Sequence, residues 1–266
     1  MALDTARPGT GSRLGVRRRR PLPGVVGLLP LLVLLGVWQV TASNTSLSFP
    51  PPSKWLAALR SMHEQAVLLP AIGVTIATFA SSLLLALLLG IVLGIVVGGS
   101  VPGRRALTPT LEFIRAVPPP ALVPVVAVIL GTSMVAGVAI VVIAIVWPIL
   151  LSTAAGMRGL PPVRQDMARS VGLTRAERIR KVTLPSLVPA IFTGTRIAVS
   201  VSLVVTLLAD ILGSGHGVGQ LISERQQSYD AASVWGLLLV IGLFGCVLNA
   251  LLDVAGRLLD RGRPTT

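Results

Sequence analysis

Pro161-Pro162-Val163-Arg164-Gln165-Asp166-Met167-Ala168-Arg169-Ser170-Val171-Gly172-Leu173-Thr174-Arg175-Ala176-Glu177-Arg178-Ile179-Arg180-Lys181-Val182-Thr183-Leu184-Pro185 is a basic stretch between two apolar runs, 135–155 and 189–212. A helix needs about 20 apolar residues to cross the hydrocarbon core. Both runs meet that length, so the stretch reads as a loop standing out of a membrane. Pro162 suits a first helical position, where the missing N–H costs nothing. Val163, Met167 and Val171 recur every four residues and share one face. Gly172 suits the left-handed conformation that closes a helix. Thr174 and Glu177 have capping-box spacing for a second helix, which Pro185 is expected to end near Leu184. The result is two short helices at an angle, the first carrying an apolar stripe with a cationic margin. A helix-turn-helix DNA reader has a similar outline. It needs a third helix to complete its core, whereas this loop runs straight into apolar spans.

Six apolar runs are read in the chain, at about 24–42, 72–98, 118–130 with some extension, 135–155, 189–212 and 232–254. The 266 residues are 53% hydrophobic and 12% charged, with mean hydropathy +0.83. That is about half the charged fraction of a soluble domain, and the expected fold is an all-α polytopic membrane protein. The third run begins Pro118-Pro119-Pro120 and contains Pro124. Its helix must start late or bend, and irregular backbone is tolerated in a membrane only against protein or water. It is therefore expected at the bundle interior.

Lys and Arg set the direction. Arg7, Arg13 and Arg17 to Arg20 precede the first run. Arg104, Arg105 and Arg115 follow the second; Arg158, Arg164, Arg169, Arg175, Arg178, Arg180 and Lys181 follow the fourth; Arg257, Arg261 and Arg263 follow the sixth. Only Lys54, Arg60 and Arg225 fall opposite, with Arg196 inside the fifth run. The positive-inside rule then places both termini in the cytoplasm. The net charge of +13 marks one membrane face and calls for no nucleic acid. Residues 1–23 read as a disordered basic tail, 24–258 as the membrane domain with its loop at 156–185, and 259–266 as a second tail. The first run is kept as a span, because it is long for a signal core and Trp38 suits an interface.

Between the first two spans, Pro50-Pro51-Pro52 stops the chain and Ser53 is placed to cap a short helix. Trp55, Leu56, Leu59 and Met62 give it an amphipathic face, expected to pack onto the bundle. Cys246 cannot form an internal disulfide and is expected to be buried and inert. His63 and His216 are too few and too isolated for a metal site. No catalytic constellation is found.

Asp166-Met167-Ala168-Arg169-Ser170-Val171-Gly172, with Val182-Thr183-Leu184-Pro185 after it, resembles the EAA loop of ABC importer permeases, Glu-Ala-Ala-x-x-x-Gly followed by Ile-x-Leu-Pro. The entry to the fifth span, Leu184 to Ala198, is similar to that of the aliphatic sulfonate, taurine and nitrate permease group. So are Asp210-Ile211-Leu212-Gly213, Gly217 to Ile222, and Arg115 to Pro124. Asp166, Met167 and Asp210 depart from that pattern, which has Glu, Ala and Glu. The resemblance implies a type I importer permease in a bacterial-type plasma membrane. It implies docking on an ATPase through Val163, Asp166, Met167, Ala168, Val171, Gly172, Leu184 and Pro185. It implies as partners two ATP-binding subunits, a second permease copy (identical or related) and an extracytoplasmic solute-binding protein. ATP and Mg would sit on the ATPase, with no cofactor in this chain. The solute class it suggests is a small anion or organosulfur compound.

Arg196 and Asp210 are the ionisable groups set in the fifth span, and intramembrane charges usually face a cavity or partner. They are therefore the transport-path candidates. At 14 residues apart, about 21 Å along a helix, they do not pair with each other. Two other readings remain: a passive channel, which needs no such loop, and an intramembrane enzyme, which needs a catalytic pair.

Overall fold

The computed structural model describes residues 29–43, 46, 48–100, 105–106, 109–110, 112–113, 116–214 and 216–261, giving the backbone alone at 119, 120, 213, 214, 260 and 261. The tail 1–23, the start of the first span at 24–28, Arg104, Arg115 and residues 262–266 lie outside them. Among the described residues the α-helices given bounds run in order: α1 Leu29–Thr41, α2 Pro52–Glu64, α3 Leu68–Gly99, α4 Pro119–Leu130, α5 Met134–Arg158, α6 Pro162–Ser170, α7 Arg175–Arg178, α8 Leu184–Ala209, α9 Val218–Gln227 and α10 Ala231–Arg261. Wide, π-type turns at Ile179–Thr183 and Asp210–Ser214 extend α8 at either end. Together they make one 38-residue helical run, Arg175–Leu212, about 57 Å long.

Among the described residues, four helical runs are long and apolar enough to cross a membrane: Leu68–Gly99, Met134–Arg158, Arg175–Leu212 and Ala231–Leu259. They match the second, fourth, fifth and sixth expected spans within a few residues at most ends. The first and third expected spans are shorter apolar helices, Leu29–Thr41 and Ala121–Leu130.

The core is a three-helix sandwich. In its most apolar stretch α5 has 56% of residues buried, against 6% for α10, so α5 is central and α10 peripheral. Lipid is as apolar as leucine, so helices associate where small residues let backbones approach. Gly90, Gly94 and Gly98 supply that seam on α3. A Cβ on Gly94 would lie 2.6 Å from Thr153 Cβ and 2.8 Å from Leu150 O of α5. On the other side of α5, a Cβ on Gly194 of α8 would lie 2.7 Å from Pro148 O. Ile140, Ile145 and Ile149 fill the space between.

At one end, three tryptophans join α1, α2 and α10. Trp55 and Trp235 stack at 5.4 Å, and Trp38 meets them edge-on at 5.0 and 4.8 Å. The Trp55 and Trp235 indoles donate to Pro50 O and Ser48 O. Trp38 thus packs on α2 and α10, and α2 packs inward through Trp55 and Met62 as expected.

Four expectations are corrected. Pro185 does not end its helix. In the wide turn before it, the Leu184 N–H is donated to Ile179 O, five residues back. The chain thus reaches Pro185 already offset from the four-residue pattern that a proline breaks. Ser53 lies inside α2, and its N–H is donated to Gln39 Oε1 rather than its hydroxyl capping the helix. The third span is interior only in part: Val123 is fully buried and Val126 packs against the core, while Val125, Val128 and Ile129 are exposed. Cys246 is exposed on α10, because that helix packs on its neighbours along a narrow face.

Candidate functional site

The loop forms as its residues dictate. Pro161 precedes α6 with Pro162 inside its first turn. Gly172 closes it at φ +76°, with its N–H donated to Arg169 O and the Leu173 N–H to Ala168 O. The Thr174 hydroxyl accepts from the Glu177 N–H at 3.3 Å, and the Glu177 carboxylate accepts from the Thr174 N–H at 3.1 Å, completing the capping box. The Lys181 ammonium, 3.0 Å from Glu177, and the Thr174 bonds lower the Glu177 pKa to about 2.

The apolar stripe of α6 faces outward. Val163, Met167 and Val171 are 65%, 63% and 77% exposed and, with Asp166 and Ser170, line a shallow depression of about 410 Å³. Asp166 is held by Arg169 at 3.4 Å. Ala168 points the other way and is buried. Leu184 is partly exposed, and Pro185 sits in the first turn of α8. Six of the eight loop residues thus sit on or beside α6, while Leu184 and Pro185 begin the long helix behind it.

Arg196 and Asp210 lie in different settings. Asp210 is fully buried at the far end of α8 and accepts from the Thr75 hydroxyl of α3 at 2.6 Å. Thr75 Oγ1 in turn accepts from the Val218 N–H, at the start of α9, at 2.8 Å. Gly217, at φ +98°, must be glycine here, because a Cβ would collide with the Asp210 carboxylate and lie 2.7 Å from Thr75 Oγ1. Three elements are therefore tied by one carboxylate and one hydroxyl. Antiparallel pairing of α3 and α8 from this tie brings Thr78 and Ser82 level with Thr206 and Ser202, all fully buried. The hydroxyls of Thr78, Ser202 and Thr206 have no partner among the described residues.

Arg196 faces the other side of α8 and binds Asp253 of α10, Nη2 to Oδ1 at 2.6 Å. The pair lines a cavity of about 730 Å³ with Phe192, Thr193, Gly256 and Arg257. The sequence reading missed Asp253 and Thr75. Asp253 lies within the sixth apolar run, and its cation is 57 positions away in the sequence. Thr75 carries no local signal, since its partner is 135 residues away.

A family described as "Binding-protein-dependent transport system inner membrane component" matches residues 86–263. The nitrate import permease protein NrtB of Leptolyngbya laminosa is 31% identical over 249 residues, covering 91% of this chain and 88% of that protein. The bicarbonate transport system permease protein CmpB of Synechocystis is 31% identical, covering 92% and 87%. The taurine transport system permease protein TauC of Escherichia coli is 29% identical, covering 82% of each. An inward-facing structure of the MetNI methionine ABC transporter superposes with TM-score 0.64 at 18% identity, covering 74% of this chain and 97% of that one, which shows a shared fold.

Proposed function

The chain belongs to the family of binding-protein-dependent transport system inner membrane components, and from that premise we propose how its residues serve an importer. It is a multi-pass membrane permease subunit of an ABC importer with a type I fold, and ATP is hydrolysed on a separate ATPase chain. An ATPase and a solute-binding protein are its partners in general terms. The proposal concerns the finer points. The α6 end is cytoplasmic, and the ATPase docks on Val163, Met167 and Val171, with Asp166 and Arg169 at the margin. Two ATPase subunits, which hold ATP and Mg, serve two permease copies, identical or related.

One observation carries this reading: three large hydrophobic side chains stand exposed, at helical spacing, on a nine-residue helix and its C-cap beyond the membrane run. An apolar patch ringed by charge marks a protein partner. Ala168 and Gly172 fix the docking helix to α7, through the Leu173-to-Ala168 bond and the left-handed turn. Leu184 and Pro185 lie within the run Arg175–Leu212, which carries Asp210 near its far end, so movement at α6 is carried by one continuous helix to the opposite face. ATP drives such a change only by binding one state better than the other, and α6 is where that difference enters.

The solute is a small anion. The relatives named for nitrate and bicarbonate support this class, as does a cation, Arg196, on the long helix, and taurine, a zwitterion, shares with them an anionic oxygen group. On this reading Arg196 is the path residue, and Asp210 serves the path by holding its far end through Thr75 and α9. The docking reading is tested by co-purification from native membranes with a carboxyl-terminal tag. An ATPase is expected with the wild type and lost in Met167→Lys/Val171→Lys, at equal membrane insertion. Full ATPase recovery with that variant overturns it.

A further inference from the structure

The cavity between α8 and α10 has an unbalanced charge. Among the described residues it is lined by two guanidinium groups, Arg196 and Arg257, and one carboxylate, Asp253. Arg257 has no carboxylate partner among the described residues. The lining thus carries a net positive charge at the end of the sixth apolar run, and such a charge attracts a counter-ion. A single monovalent anion would bring the group to neutrality.

The geometry leaves room for one. A volume of about 730 Å³ is the size of a small-ligand pocket. Gly256 contributes no side chain, and Phe192 closes on it at a distance that a Cβ would reduce to 3.1 Å. Arg196 meets Asp253 through a single Nη2–Oδ1 contact, although a guanidinium fork can hold an oxyanion with two parallel bonds. Both side chains are about half exposed, 56% and 45%. Exposed pairs of this kind are weak, so Asp253 is a partner that an incoming anion can replace. Arg257 lies one turn from Asp253 towards the α6 end, where a second contact is available.

We propose that this cavity is an oxyanion site in which the anion takes the place of Asp253 on Arg196, with Arg257 as the second cation. Two sources share that chemistry: the phosphate of an acidic phospholipid, and a small free oxyanion. Only the second rests on the small-anion reading of the solute.

The test measures binding, not transport, so its failure is distinct from failure of the importer reading. The full-length chain in neutral detergent is titrated with phosphatidylglycerol or phosphatidylcholine and read by native mass spectrometry. A parallel thermal-shift series uses nitrate and methanesulfonate against chloride at equal ionic strength. Binding of phosphatidylglycerol alone assigns the lipid source; a response to the small anions assigns the free one; either supports the site. Arg196→Gln is expected to weaken binding about tenfold, and Arg196→Lys to retain part of it. Asp253→Asn is expected to strengthen binding about two- to fivefold by removing the competitor, a gain that misfolding does not produce. Asp253→Asn without a gain overturns the exchange. No anion preference with either probe, or one untouched by Arg196→Gln, overturns the site.

Discussion

Thr75→Val and Thr78→Val place the same change one turn apart on α3, and the structure gives them different outcomes. Thr75 Oγ1 donates to Asp210 at 2.6 Å and accepts from the Val218 N–H at 2.8 Å. Valine keeps the shape and removes both bonds. A buried group left without its partner costs roughly 1–3 kcal/mol, and a bond to a carboxylate is worth roughly 1.5–3 kcal/mol. Asp210 keeps a further interaction, which limits the second loss. The sum is a destabilisation of about 2–5 kcal/mol. Thr78 is equally buried, but its hydroxyl has no partner among the described residues. Replacing an unpaired buried hydroxyl by a methyl removes a cost of about 1–3 kcal/mol or changes nothing. Thermal unfolding of the detergent-solubilised protein, followed by size-exclusion chromatography after heating, reads both. Thr75→Val should melt several degrees lower, and Thr78→Val at or above wild type. Equal melting of the two variants would refute the tie between α3, α8 and α9.

Three further outcomes are expected from other parts of the chain. Gly172→Val should lose about 1–2 kcal/mol locally through its φ of +76°, with nothing within 4 Å to clash, so uptake should fall while insertion and Gly172→Asn uptake persist. Gly94→Leu should force α3 from α5 and lower stability by about 1–3 kcal/mol or more, measured by the same heating assay, whereas Leu at the open position Gly242 should change little. Glu177 lies in the loop, outside the apolar part of its helical run, and its pKa is lowered from 4.5 to about 2. Its capping contribution is therefore complete above pH 4.5 and lost as pH falls through about 2, so amide exchange at 174–178 should be insensitive to capping changes between pH 5 and 8.

The long spans were readable because lipid demands continuous apolar runs, and the loop because capping box, stripe and glycine all act within a turn or two. Gly90, Gly94 and Gly98 were equally readable, since small residues four apart mark a packing seam, yet they passed as part of a hydrophobic run. Pro185 was misread because a wide turn upstream, which no residue type announces, moves the register. The Arg196–Asp253 and Thr75–Asp210 pairs join residues 57 and 135 positions apart. Local pattern holds no record of such pairs, and helix packing alone brings them together.

The docking of an ATPase on α6 is tested most directly by a photo-crosslinking amino acid placed at Met167 in cells carrying the native transporter. The expected result is a crosslink to an ATP-hydrolysing polypeptide, absent when the same probe replaces Leu243, an exposed residue of α10 within the membrane run. A probe at Met167 that captures only lipid, or the same polypeptides as the probe at 243, would contradict it.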